Sequence, residues 1–181
     1  FDIVGNNGFS FQSPIGAGSS QSFTGDRMVW YPKKAHFYSG GGSIGLNDLN
    51  IGDYTFGTGY NTRPKGDYSM AIGYASLAAG DYSFAGGFDS KAYGNYSFSF
   101  GYASQAYGIA AVAMGRGAVS NGSSSVALGY HPQATGAYSV ALGYGCLATD
   151  TSSYALGHGA QSNHKGSFVF SDVSSVTALT S

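Results

Sequence analysis

Glutamate is absent from this chain of 181 residues, and charged side chains of every kind make up only 9% of it, well below the roughly 25% of ordinary globular proteins. Nine Asp against eight Lys and Arg leave a net charge of −1 at pH 7. That balance offers no electrostatic footprint for nucleic acid or an anionic membrane surface. No apolar run approaches the roughly 18–20 residues of a membrane-spanning helix, so this fragment is expected to make no membrane contact. The single cysteine, Cys146, excludes an intrachain disulfide framework and reads as a small buried residue. Leu is scarce while glycine, at 30 residues, recurs about every seventh position, which excludes long helices. The chain opens on Phe1 with neither Met nor a signal peptide, as expected for a piece of a longer protein.

The chemistry of catalysis is equally thin. Without Glu, the paired carboxylates of a glycosidase would have to be Asp residues meeting across turns or chains. His36, His131, His158 and His164 stand in unrelated contexts with no metal-ligand spacing, and one Cys cannot build a zinc site. No P-loop Lys follows the Gly-x-Gly strings, and no Gly-x-Ser-x-Gly elbow lies between a strand and a helix. The expectation is a non-enzymatic protein that needs no cofactor and no metal.

What the chain does have is a repeat. From Gly52 the sequence returns every 14 residues, nine times, without insertion or deletion. GDYSMAIGYASLAA (from Gly66), GSSSVALGYHPQAT (from Gly122) and GAYSVALGYGCLAT (from Gly136) are well-kept copies, and HKGSFVFSDVSSVT (from His164) is a decayed ninth. A short, gapless period means one supersecondary unit stacked on itself, a solenoid. Within the unit, position 8 is Gly in eight copies and position 1 in seven. Two glycine columns seven apart mark two turns per repeat, at places that need a positive φ or close backbone packing. Two turns leave two short strands, one on each side of a flattened coil. The fold class is all-β, a β-roll.

Alternation along the first strand, expected over positions 4 to 8, separates its two faces. Positions 4 and 6 are small, as in Ser125/Ala127 and Ser139/Ala141, and positions 11 and 13 repeat the small row, as in Ser90/Ala92 and Cys146/Ala148. The lumen is therefore narrow and filled by Ser, Ala and Gly. Positions 5 and 7 are large and apolar: Met70, Ile72, Phe98, Phe100, Val112, Met114, Val126, Leu128, Val140, Leu142 and Leu156 among them. Pointing outward, they make a stripe on the order of 40 Å long at about 4.8 Å per rung. A soluble monomer does not normally expose so large an apolar patch, so the row is expected to be an interface between identical copies.

The recurring S-V-A-[IL]-G-x-x-[SA]-x-A pattern, kept in phase from about residue 52 to 177, resembles the head repeats of YadA-like trimeric autotransporter adhesins. The same repeats resemble modules of phage and phage-like tail fibres. The resemblance implies a left-handed parallel β-roll, a homotrimer with the positions 5 and 7 row at its interface, and a role in surface attachment. It also implies an extracellular location, on the outer-membrane-anchored bacterial cell surface or on a virion tail fibre. The expected partners are two further copies and a host surface protein, matrix protein or glycan. Flanking segments would separate adhesin from tail fibre.

Domain organisation follows: residues 1–51 as an irregular or β cap or connector, 52–177 as the roll and 178–181 as a lead-out. Residues 25–40 hold the only Trp, Trp30, beside Arg27, Lys33 and Lys34. They either cap the open end of the roll, as terminal units of solenoids do, or form a binding tip. Two aromatic columns remain. Position 9 reads Tyr60, Tyr74, Phe88, Tyr102, Arg116, Tyr130, Tyr144 and His158, and position 3 carries Tyr54, Tyr68, Tyr82, Tyr96 and Tyr138. Such ladders stabilise a sheet by pairing, and Tyr60, Tyr74, Tyr102, Tyr130 and Tyr144, with Trp30, are also candidate ligand contacts, offering ring faces to a glycan or protein. Asp53, Asp67 and Asp81 recur at position 2, as turn acids or as a metal-binding ladder. A monomeric ice-binding-like solenoid is the rival architecture, but Thr135, Thr149 and Thr177 fall only at position 14 and the bulky row is not flat.

Overall fold

The computed structural model describes residues 2–3, 9–10, 21–23, 26–42, 44–46 and 50–172. The lead-out expected over 178–181, the end of the ninth repeat and much of the N-terminal segment lie outside them. The described chain is an all-β parallel solenoid of about eight turns. Each turn contributes a five-residue strand at positions 5 to 9, such as Met70–Tyr74, Val126–Tyr130 and Val140–Tyr144. A two-residue strand at positions 12 and 13 follows, such as Leu77–Ala78. The long strand thus begins one residue later than the alternation predicts and ends on the position 9 side chain. Long strands stack into a sheet of 11 and short strands into a sheet of 8. Every rung pairs in register with the next at a 14-residue offset, Val126 opposite Val140 and Tyr130 opposite Tyr144.

Between the sheets lies a lumen of small side chains. Ala71, Ala85, Ala113, Ala127, Ala141 and Ala155 at position 6 are fully buried, as are Ala78, Ala92, Ala106, Ala134 and Ala148 at position 13. Several serines of this narrow core find acceptors in the turns, while Ser97 and Ser139 at position 4 are buried without a hydrogen-bond partner. At position 4, Ser83, Ser125 and Ser153 donate to the position 1 carbonyl of their own turn at 2.6–2.7 Å. At position 11, Ser76 and Ser90 donate to the position 8 carbonyl of the next rung at 3.1 and 2.9 Å. Cys146 occupies the same column and points its thiol at the Gly157 carbonyl, 3.2 Å away. It is a buried free thiol, and burial pushes its pKa up, which keeps it an inert substitute for serine.

Both glycine columns are set by proximity. A Cβ on Gly122 at position 1 would lie 1.9 Å from the Gly136 carbonyl oxygen, and one on Gly115 at position 8 would lie 2.0 Å from that of Gly129. Position 8 adds a φ of +105 to +129°. The left-handed residues of the two turns are elsewhere, at positions 3 and 10, and most are not glycine: Tyr54, Tyr68, Tyr82, Tyr96 and Tyr138 have φ of 56–61°, Ala75 and Ala103 of 53° and 52°.

The sheet starts before the repeat does. Arg27–Tyr31 and His36–Gly41 form an antiparallel hairpin around a 3-10 turn at Pro32–Lys34. Its second strand pairs in parallel with Phe56–Tyr60, placing Phe37 opposite Phe56, 19 residues on instead of 14. Gly40 therefore stacks on Gly59 as a position 8 glycine, its own Cβ direction 1.8 Å from the Gly59 oxygen. At this rung the lumen changes character. Tyr38 is wholly buried over Gly57, where a Cβ would meet its ring at 3.0 Å, and its hydroxyl is shared between the carbonyls of Gly41 and Gly59 at 2.8 and 2.7 Å. The hairpin's Tyr31 packs with Ile51. Smaller antiparallel pairs join Asp2–Ile3 to Phe9–Ser10 and Gln21–Phe23 to Ile44–Leu46.

His36 is also buried at this end. Thr55 Oγ1 donates to the Gly52 carbonyl at 3.1 Å, so the 2.7 Å contact between Thr55 Oγ1 and His36 Nδ1 makes Nδ1 the donor. Nε2 is left without a partner. Burial lowers the His36 pKa from 6.5 to about 4, against the opposing effect of its bond to Thr55. The unfolded chain therefore takes up a proton that the folded chain refuses between those values, and stability falls as pH drops from 6.5 to 4. The expected loss is about 3 kcal/mol, at 1.36 kcal/mol per pKa unit. Urea unfolding of the wild type and of His36→Gln across this window checks it, since the variant should lack this component of the acid loss. Parallel pH dependence in the two proteins would exclude it.

Candidate functional site

The outward surface of the long-strand sheet is where the chain concentrates its unburied bulk. Alternation that sends Ala127 and Ala141 inward sends positions 5 and 7 outward. Ile72, Phe98, Val112, Val126, Leu128, Val140, Leu142 and Leu156 are half-buried in the single chain, and Met70, Phe100 and Met114 are exposed, Phe100 by 43%. All eleven candidate interface residues therefore lie outward, in two adjacent rows. Phe84 stacks on Phe98 at 4.8 Å, and the space above Gly86 is taken by the rings of Phe84 and Phe100. Among the described residues, none covers these rows.

At the end of the same strands runs the position 9 ladder. Ring centroids are 5.3 Å apart from Tyr60 to Tyr74, 4.9 Å to Phe88 and 5.0 Å to Tyr102, with planes within 10° of parallel. Arg116 then takes the place of a ring, its Cζ 5.6 Å from the Tyr102 centroid and 5.2 Å from that of Tyr130. Tyr144 stacks on Tyr130 at 4.9 Å, and His158 closes the column edge-on. A spacing near 5 Å leaves no room for a further ring between neighbours. Within the ladder, ring edges and hydroxyls face outward, in place of the open faces expected from sequence.

A second ladder, Tyr54, Tyr68, Tyr82 and Tyr96, stacks at 4.9–5.2 Å over the position 3 turns. Beside it the position 2 carboxylates bond along the axis. The backbone N–H of Asp53 donates to Asp67 Oδ1 at 2.9 Å, that of Asp67 to Asp81 Oδ1 at 3.0 Å, and that of Asp81 to Asn95 Oδ1 at 3.1 Å. Lys34 pairs with Asp53 at 3.0 Å. Asn95 continuing the column shows that an amide oxygen serves as well, so the column is an acceptor for rung-to-rung hydrogen bonds. Tyr68 has its hydroxyl pKa raised by desolvation and by the neighbouring tyrosines and aspartates. Among the described residues no cluster of three or more His, Cys, Asp or Glu is placed to hold a metal ion, and no helix is long and apolar enough to cross a membrane. Trp30 stands on the outer hairpin strand, 41% exposed, away from the position 9 ladder in chain order and paired with Phe37.

The described chain is thus a parallel β-solenoid of repeats whose inner face is sealed by Ala and Ser and whose outer face carries an apolar row that no other described residue covers. Residues 65–90, 92–118, 106–131 and 120–145 match the family model of the YadA head domain repeat (2 copies). These residues carry YadA-like head repeats. No curated protein matches the chain.

Proposed function

We propose that this chain is the head of a non-enzymatic homotrimeric fibre, which attaches a bacterial cell or a virion tail to a host surface protein, matrix protein or glycan. The carrying observation is the outward apolar row, large at every position 5 and at most of positions 7, which no other described residue covers. Apolar surface of that extent is stabilised by burial against copies of itself, and a stripe on one side of a narrow roll can close around a cyclic axis. The head repeats support the count of three and the setting outside the cell. Three chains carry three copies of every surface group, so weak contacts sum to avidity.

Light scattering coupled to size exclusion tests the assembly. A mass about three times 18.6 kDa is expected. A clean monomer at concentrations where the fold is intact would remove the trimeric head and leave a single-chain ligand surface.

A further inference from the structure

We propose that Arg116 and the rings that clamp it form a binding site for the carboxylate or sulfate of an acidic glycan. The inference deepens the attachment reading and rests on it for the setting in which a glycan is met. Arg116 is the one position 9 residue in the stacked column that is neither aromatic nor histidine. It is exposed, and its guanidinium is held between Tyr102 and Tyr130 at 5.6 and 5.2 Å. A guanidinium between two rings keeps its N–H donors at its free edge, pre-ordered for a bidentate oxyanion.

The decisive observation is the missing counter-charge. No other Asp, Lys or Arg occurs between Lys91 and Asp150. The carboxylate before this span, Asp89, is paired with Lys91 at 3.3 Å, and the one after it, Asp150, accepts from the Thr151 backbone N–H at 2.6 Å. A second copy packed in register would bring its own rung and the rungs beside it, which hold no carboxylate either. Among the described residues no carboxylate pairs with Arg116, which leaves its place open to an anion from another molecule.

The surroundings select its class. The flanking tyrosines present hydroxyl-tipped edges, and His131 stands edge-on to Tyr130 at 4.4 Å in the space beside Gly117. The strand Val112–Arg116 is paired on both sides, so no backbone edge is open to an extended peptide. Donors and acceptors on ring edges around a fixed cation suit a polyhydroxylated anionic chain. With a net charge of −1, general attraction to polyanions contributes nothing.

The test uses short oligosaccharides, so that affinity is read per site without avidity: a sulfated, carboxylate-free carrageenan tetrasaccharide, a carboxylate-only tetragalacturonate and neutral maltotetraose. Calorimetry is run at an ionic strength of about 0.1 M, where the Debye length is about 10 Å. Binding of either acidic sugar but not of maltotetraose is expected, which also tells sulfate from carboxylate. Arg116→Tyr, which completes the ring column and so keeps the fold, should weaken it by about ten-fold or more. Arg116→Lys should fall between, and Lys65→Ser, at an exposed position 14, should match the wild type. Unchanged affinity in Arg116→Tyr, no binding by the wild type, equal binding of maltotetraose, or tighter binding of an oligo-aspartate peptide would each overturn the proposal. Solution mass measured on the same samples separates the two readings. A trimer that binds no acidic sugar sinks the site alone, and a monomer with Arg116-dependent binding sinks the trimer alone.

Discussion

An alanine at Gly129 is expected to lower the stability of the roll by at least about 3 kcal/mol, the range for a strained left-handed backbone with an added steric conflict. Two independent penalties coincide there. Gly129 has a φ of +127°, and a Cβ would lie 2.2 Å from the carbonyl oxygen of Gly143 on the next rung. That obstacle is backbone tied into the sheet on both sides, so it cannot move aside without breaking the ladder. Gly145, sixteen residues further on, is the matched control: its φ is +60° and nothing lies within 4 Å of its Cβ direction. Alanine already occupies the same turn position at Ala75 and Ala103. Gly145→Ala should cost about 1 kcal/mol, the usual penalty of a left-handed L-residue. Thermal melts should then differ by several degrees, at roughly 2–4 °C per kcal/mol for a chain of this size. Equal melting temperatures for the two variants would show that the rungs are not as close as the geometry has them.

Leu142→Asp should leave the roll folded and take the assembly apart. In the single chain Leu142 is half-buried on the outer face, between Leu128 and Leu156 on the neighbouring rungs. A carboxylate there stays hydrated while the chain is alone and disturbs only that row. In a homotrimer it is buried three times over around one axis without a cation to match it, at about 3–5 kcal/mol for each uncompensated charge. The solution mass should therefore fall to that of one chain while the β-sheet circular dichroism persists. Gln133→Asp, exposed on the short-strand sheet, should leave the mass untouched. A Leu142→Asp variant that keeps the wild-type mass would exclude the positions 5 and 7 row as the interface, and a loss of mass in Gln133→Asp would point to the opposite face.

Most of the roll was legible in the sequence because its order is one-dimensional. A 14-residue period without gaps forces identical side chains into columns, and the contrast between Ala127 and Val126 or Leu128 assigns each column to a face before any coordinate is seen. The same logic placed Cys146 in the lumen, since its column otherwise holds Ser, Ala, Thr or Pro. Three things escaped it. The positive φ expected at the glycine columns is met at position 8, but left-handed residues also stand at positions 3 and 10, where Tyr68 and Ala75 have φ of 57° and 53° and their N–H groups bond to Asp53 and Tyr60 on the previous rung at 2.8 Å. At position 10, Asn61, Asp89, Gly117, Gly145 and Gly159 are the sequence traces of that conformation. The extra rung at His36–Gly41 was hidden by five additional residues, although Phe37-Tyr38-Ser39-Gly40 mirrors Phe56-Gly57-Thr58-Gly59. And the aromatic columns could be counted, but not whether rings would stack or stand open.

By itself, then, the sequence determined the period, the small-residue lumen and the outward apolar row, because each depends on composition repeated at a fixed spacing. Only the tertiary structure decided what the columns do to one another. It set the rungs close enough to demand glycine at two positions, corked the N-terminal lumen with Tyr38 and His36, and closed the tyrosine faces on their neighbours. It also clamped Arg116 between the rings of Tyr102 and Tyr130. Those outcomes depend on distances of a few ångströms between residues many positions apart, which a sequence pattern orders but does not measure.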